Sequence, residues 1–163
     1  MILTTTLDEI KKHHPCNANP DDNRDSGWNK LIDYLGHDWP RDKEINLLTI
    51  LDSNGVGDCL WALRATMQES KLISVKMSIE FAKRVLHIFE KKYTYDNRPR
   101  RAIEDIKNWV DNPNEKNQDD AEAAARAAKA AAWDAGGARA VRVAARAAES
   151  KEQEKIIRRY LTK

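Results

Sequence analysis

Asp52-Ser53-Asn54-Gly55-Val56-Gly57-Asp58 comes nearest to a metal-binding loop. The calcium template asks for oxygen ligands at positions 1, 3, 5 and 12, with glycine at position 6. Asp52, Asn54 and Gly57 satisfy it, but Val56 and Leu63 stand where two further oxygens are needed. The segment therefore reads as a connector between helices, with Asp58 as the cap of the second. His13-His14-Pro15-Cys16 is a cluster of soft ligands. A closed zinc site needs four ligands, and the chain adds only Cys59, His37 and His87, at no recognisable spacing. The plainer reading is a helix end whose histidines sit near the negative pole of the helix dipole. Cys16 beside His14 has neither an oxyanion device nor a third group to orient a base. Cys59, next to Leu60 and Trp61, reads as a small packed hydrophobe. Glycine-rich phosphate loops, nucleophile elbows and His-Glu-x-x-His patterns are missing from the sequence. The expectation is a protein that is not an enzyme and needs no cofactor or metal.

Recognition chemistry is better represented. Asp58, Trp61 and Arg64 lie one helical turn apart, which stacks a carboxylate, an indole and a guanidinium on one face. A core tryptophan with a solvated arginine is the favoured reading, and a recognition edge is the sharper one. Trp39, Trp133 and Tyr95 are candidate aromatic anchors for a protein partner. Arg126, Lys129, Arg139, Arg142 and Arg146, followed by Lys155, Arg158 and Arg159, form a basic series that could neutralise phosphates. Against nucleic acid, the sequence pI is about 8.5 and Glu149, Glu152 and Glu154 interrupt the series. Alanine helices with periodic arginines equally suit close helix–helix packing with snorkelling charges. A homodimer through those helices is a further expectation.

The elements that must position these residues read as helices throughout. Thr6-Leu7-Asp8-Glu9 is a capping box, and the short helix it opens must end before Pro15. Ser26 caps a second helix with Trp28, Leu31, Ile32 and Leu35 on its buried face, and Gly36 stops it. Ile45–Leu51 is short and apolar, so strand and buried helix compete. Helix is favoured because a lone strand would have no partner. Asn54-Gly55 ends it, and a helix through Cys59–Ala65 follows. From Ser74 to about Lys92, Val75, Ile79, Ala82, Leu86 and Phe89 recur at spacings of three and four. Pro99 opens a helix carrying Ala102, Ile103, Ile106, Trp109 and Val110, closed by Asn112-Pro113-Asn114.

After Asp119 the composition turns to alanine, the best helix former. Gly136-Gly137 divides two alanine-rich segments, which favours a break or hairpin bend. Past Ser150 the larger Ile156, Ile157, Tyr160 and Leu161 could dock on the body. The fold class is therefore all-α: a multi-helix bundle over residues 1–112 with an Ala/Arg-rich helical hairpin or extension over 113–163.

Charge follows the same division. Residues 121–163 hold ten Lys/Arg against five Asp/Glu, whereas residues 1–120 hold eighteen against twenty-one. A mildly acidic body with a basic tail offers an electrostatic handle. The first residues lack the basic stretch and apolar run of a secretion signal, and no apolar run approaches the ~20 residues of a membrane span. A cytoplasmic protein with reduced cysteines and no membrane partner is expected.

Leu47–Ala65, read as LLTILDSNGVGDCLWALRA, then FAKRVLHIFEKK and RRAIEDIKNWVDNP, resembles bacterial and phage proteins grouped as immunity proteins of polymorphic toxin systems. HHPCNANP, Gly27-Trp28 and the arginine-punctuated alanine tail are similar to phage members of that grouping. The resemblance implies a small helical inhibitor that binds and neutralises a protein, either a toxin or, in a phage setting, a host defence component in the anti-CRISPR manner. The long basic tail departs from a compact immunity protein. A nucleic-acid-binding accessory protein acting through that tail is the alternative.

Overall fold

The computed structural model describes residues 2–15, 26–112, 114, 116 and 141–162, with the backbone alone over 141–148. Among the described residues are seven α-helices, one 3₁₀ turn and a two-stranded ribbon. The mostly helical fold class holds. The chain divides into two compact units, one of residues 1–71 with 150–163 and one of residues 72–149.

In the first unit, β1 (Thr4–Thr5) leads into α1 (Leu7–Lys12), whose start is the capping box read above. The Glu9 amide donates to Thr6 Oγ1 at 3.1 Å. Ser26 caps α2 (Gly27–Leu35) in the same way, its hydroxyl accepting from the Asn29 amide at 3.1 Å, and Gly36 ends it at φ 92°. Local chemistry alone fixes these boundaries.

Ile45–Leu51 departs from the helical expectation in its first two residues, while Leu47–Leu51 is helical as favoured. Ile45–Asn46 is a strand, β2, paired antiparallel with β1 in the register Thr4↔Asn46 and Thr5↔Ile45. The partner judged missing is the start of the chain. Asn46 then turns its side chain to accept from the Leu48 amide at 2.8 Å, capping α3 (Leu47–Asn54). β1 is held on its other flank too. Thr4 donates its amide to Gln68 Oε1 (2.8 Å), Gln68 Nε2 donates to Thr4 Oγ1 (2.8 Å), and the Met67 amide donates to the Thr4 carbonyl (2.9 Å). Thr5 Oγ1 donates to the Ala65 carbonyl at 2.5 Å. Thr4, Thr5 and Thr6 are all buried, so these bonds replace water that cannot reach them.

After α3 come α4 (Val56–Ala62) and the 3₁₀ turn Leu63–Ala65. Leu7, Ile10, Leu31, Ile45, Ile50 and Ala62 form the centre of one apolar cluster, against which Trp28, Trp39 and Trp61 pack half-buried. The last helix, α7 (Val141–Leu161), seats its end in this unit, with Ile157 and Leu161 fully buried. Arg158 donates to Asp52 on α3 and to Glu154 one turn back, which anchors that end.

The second unit contains α5 (Lys71–Lys92) from its second residue onward and α6 (Arg98–Asp111), joined by a short turn. Pro99 sits in the first turn of α6 as expected, and Arg98 clamps Asp96 through two nitrogens at 2.9 and 2.7 Å. Arg100 reaches back to Glu90 at 2.7 and 2.8 Å, tying the helices near the turn. Of the five positions expected to be buried along α5, only Ile79 is; Met77, off that face, is the helix's other buried residue.

The β1 contacts generate a stability prediction. Thr5→Val keeps the side-chain shape but leaves the Ala65 carbonyl buried without its donor. It should lower unfolding free energy by about 1–3 kcal/mol, measured by urea titration, whereas a purely steric role for Thr5 predicts no loss.

Candidate functional site

Three elements meet at Asn54. It is the last residue of α3, and Gly55, at φ 86°, ends that helix and starts α4. The Asn54 amide nitrogen donates to the Gly27 carbonyl at the start of α2 (2.5 Å) and to Asp58 Oδ2 in the first turn of α4 (2.9 Å). Ser53 Oγ donates to Asn54 Oδ1 at 2.6 Å, which fixes the orientation of the amide. Asp58 is thus not the cap of α4, as the sequence suggested. Gly55 holds the cap position without a side-chain bond, and Asp58 is committed to the α3 terminus. The calcium-loop residues are committed as well, Asp52 to Arg158 and Asn54 to this junction. Among the described residues no group of three or more His, Cys, Asp or Glu could hold a metal ion.

The junction forms one wall of a small cleft of about 90 Å³. Trp28, Leu31, Ile50, Trp61 and Ala62 supply its apolar lining, with Asp58 as the charged member. Arg64, on the 3₁₀ turn, lies outside the lining: its guanidinium carbon is 5.1 Å from the Trp61 ring centroid and its Nε donates to the Trp61 carbonyl at 3.1 Å. The fold therefore gathers a carboxylate, two indoles and a guanidinium at one edge of the first unit. Trp61 belongs to both readings, being packed against the core cluster and lining the cleft. Trp39 packs against the same cluster, carries the Lys43 ammonium 3.9 Å from its ring centroid, and has a buried Nε1 with no partner among the described residues.

Trp28 and Asn54 are the site residues that the sequence reading assigned elsewhere, to the core face and to a helix stop. The signal for them was Gly27. A Cβ there would collide with the Asp58 carboxylate, so glycine occupies the first position of a helix where every residue but proline is a better helix former.

Tyr95 is fully exposed in the second unit. Arg126, Lys129, Trp133 and Arg139 lie outside the described residues, as do Cys16, Gly136 and Gly137. Arg142 and Arg146 fall on α7, where the backbone alone is described. Among the later basic residues, Lys155 pairs with Glu152 at 2.7 Å and Arg158 with Asp52 and Glu154. In the second unit, Ile79, Ala82, Leu86, Phe89, Ile103 and Ile106 line an apolar groove of about 380 Å³ between α5 and α6.

Cys59 offers no nucleophile. Its thiol is buried behind α3, donating to the Leu47 carbonyl at 3.5 Å. Burial pushes its pKa up to about 12, with Arg158 lowering it and Asp52 raising it by lesser amounts. No described helix is long and apolar enough to cross a membrane.

The family model described as Imm-5 like putative immunity protein matches residues 64–155, more than half of the chain. It takes in Arg64, α5 and α6, and leaves Trp28, Asn54, Asp58 and Trp61 before its start. Searches of curated proteins and of solved structures return no match.

Two outcomes test the junction. Gly27→Ala should destabilise the protein by about 1–3 kcal/mol through overpacking, against the helix-propensity gain of about 1 kcal/mol that alanine otherwise brings; a rise in thermal midpoint would reverse the assignment. In a Cys16→Ser background, Cys59 should resist a thiol-specific disulfide reagent at pH 8 until the chain unfolds. Because the folded state keeps this proton above the pH at which the unfolded thiol loses it, stability falls as pH rises from about 9 towards 12.

Proposed function

The chain belongs to the Imm-5 like immunity protein family, and from that premise we propose that it binds one toxin of a polymorphic toxin system and neutralises it by steric occlusion. The family match over residues 64–155 carries this reading. The geometry suits it: Trp61 and Arg64 are of the residue types that dominate binding energy at protein interfaces, and they stand beside Asp58 at a junction of three helices. Occlusion requires only that this surface cover the toxin's working surface, with no chemistry supplied by the inhibitor. Trp39, and separately the basic series Arg126, Lys129, Arg139, Arg142 and Arg146 with Trp133, are further residues proposed to contact a partner. In the anti-defence version, the bound protein is a host defence component instead, and the same surfaces are used.

Co-expression in bacterial cells with a panel of polymorphic toxin domains tests the reading. One toxin should lose its lethality and co-purify with the chain as a stoichiometric complex. Suppression without a complex, or no suppression across the panel, would count against it. Capture of a defence protein with loss of that protein's activity would move the target to the anti-defence version.

A further inference from the structure

Among the described residues, Asp58 is satisfied on one oxygen only. Asn54 Nδ2 donates to Oδ2 at 2.9 Å, and among the described residues no group donates to Oδ1 and no cation pairs with the carboxylate. An amide supplies a hydrogen bond but no countercharge. A carboxylate held partly out of water is costly unless it is paired with a cation. Apart from Asn54, the rest of the cleft wall is apolar and aromatic, with Trp28 and Trp61 as its largest members. Indole faces attract ammonium and guanidinium groups, and the methylene stems of lysine and arginine cover apolar surface while their heads seek charge. The volume of about 90 Å³ suits a single side chain, since a cavity of about 150 Å³ accommodates benzene.

We propose that this cleft is a socket for one lysine or arginine side chain of the partner protein, its stem against Trp28 and Trp61 and its head on Asp58 Oδ1. The inference rests on the inhibitor reading for the partner's being a protein, and it names the chemistry of that partner's anchor. Gly27 keeps the carboxylate in place at the wall, and Asn54 fixes which oxygen is left open. An apolar side chain would fill the space but leave the carboxylate unpaired, and an acidic one would be repelled. Arg64 stays outside, stacked on Trp61 and bonded to its carbonyl.

The experiment uses the full chain and two probes of one shape, n-butylguanidinium and its neutral isostere n-butylurea. The indole N–H resonances of Trp28 and Trp61, assigned with Trp→Phe variants, report occupancy by NMR. Butylguanidinium should shift both resonances saturably in the millimolar range, and butylurea should bind about tenfold more weakly. Asp58→Asn retains an acceptor for Asn54 and should bring the two probes to equal affinity. Equal binding of both probes to the wild-type chain overturns the proposal, as does the absence of a saturable shift below about 100 mM. A preference unchanged in Asp58→Asn does the same. The wild-type comparison stands even if that variant fails to fold. A neutralised toxin without cation preference at the cleft would sink this inference alone, whereas cation preference without any neutralised toxin would sink the inhibitor reading alone.

Discussion

The first unit depends on a strand of only two residues. Thr4 and Thr5 are buried, and a buried backbone in extended form must find hydrogen-bond partners on both flanks. β2 supplies one flank, and the segment from Ala65 to Gln68 supplies the other through Ala65, Met67 and Gln68. That single constraint brings the chain start against residues far along the sequence on two sides. It also fixes where α3 begins, because the Leu47 amide donates to the Leu3 carbonyl just as the chain leaves the ribbon. The threonines contribute side-chain bonds as well as backbone ones, so the ribbon resists register slip despite its length.

The cleft inherits this order. With α3 fixed at its start by the ribbon, its end at Asn54 has a defined position, and from there one amide ties α2 to α4. The other side of α3 is held by Arg158, whose guanidinium bonds Asp52 across a separation of 106 residues. An exposed ion pair of this kind contributes little free energy by itself. Here it accompanies the burial of Ile157 and Leu161, which carries most of the docking energy, and it sets the rotation of the helix about its axis. The edge of Asp58, Trp61 and Arg64, on α4 and the 3₁₀ turn, therefore follows directly on a helix restrained at both ends and along one side.

What the sequence made legible was local. Thr6, Ser26, Gly36 and Gly55 act within a few residues of where they stand, and each cap or stop is where its residue type implied. Ile45–Asn46 was not legible, because the choice between strand and helix depended on a distant partner upstream, Thr4–Thr5, whose only mark was three threonines. Asp58 illustrates the same limit. Its type and position fit a cap, yet the decisive group was an amide one turn earlier and a glycine on a different helix. Along α5 the period was readable but the burial was not, since periodicity says which residues share a face and not what covers it. The spacing of Trp61 and Arg64 did announce their proximity, although Arg64 reaches Trp61 from a 3₁₀ turn and not from the same α-helix.

Selectivity at such a cleft comes from the charged wall more than from its size. An apolar pocket of this volume accepts many side chains with similar gains, because each buried methylene contributes only about 0.8 kcal/mol. A carboxylate with one open oxygen changes the ranking. Any occupant that excludes water from Asp58 without donating to it leaves a charge unpaired, which costs more than the packing returns. An occupant bearing a cation removes that cost and gains a charge-assisted bond. In the proposed socket the same residue would disfavour the wrong anchor and favour the right one, which is how a small surface can separate related partners. The fold's contribution is to keep that oxygen open: Asn54 takes the other one, Ser53 holds Asn54, and Gly27 leaves the carboxylate room to stay.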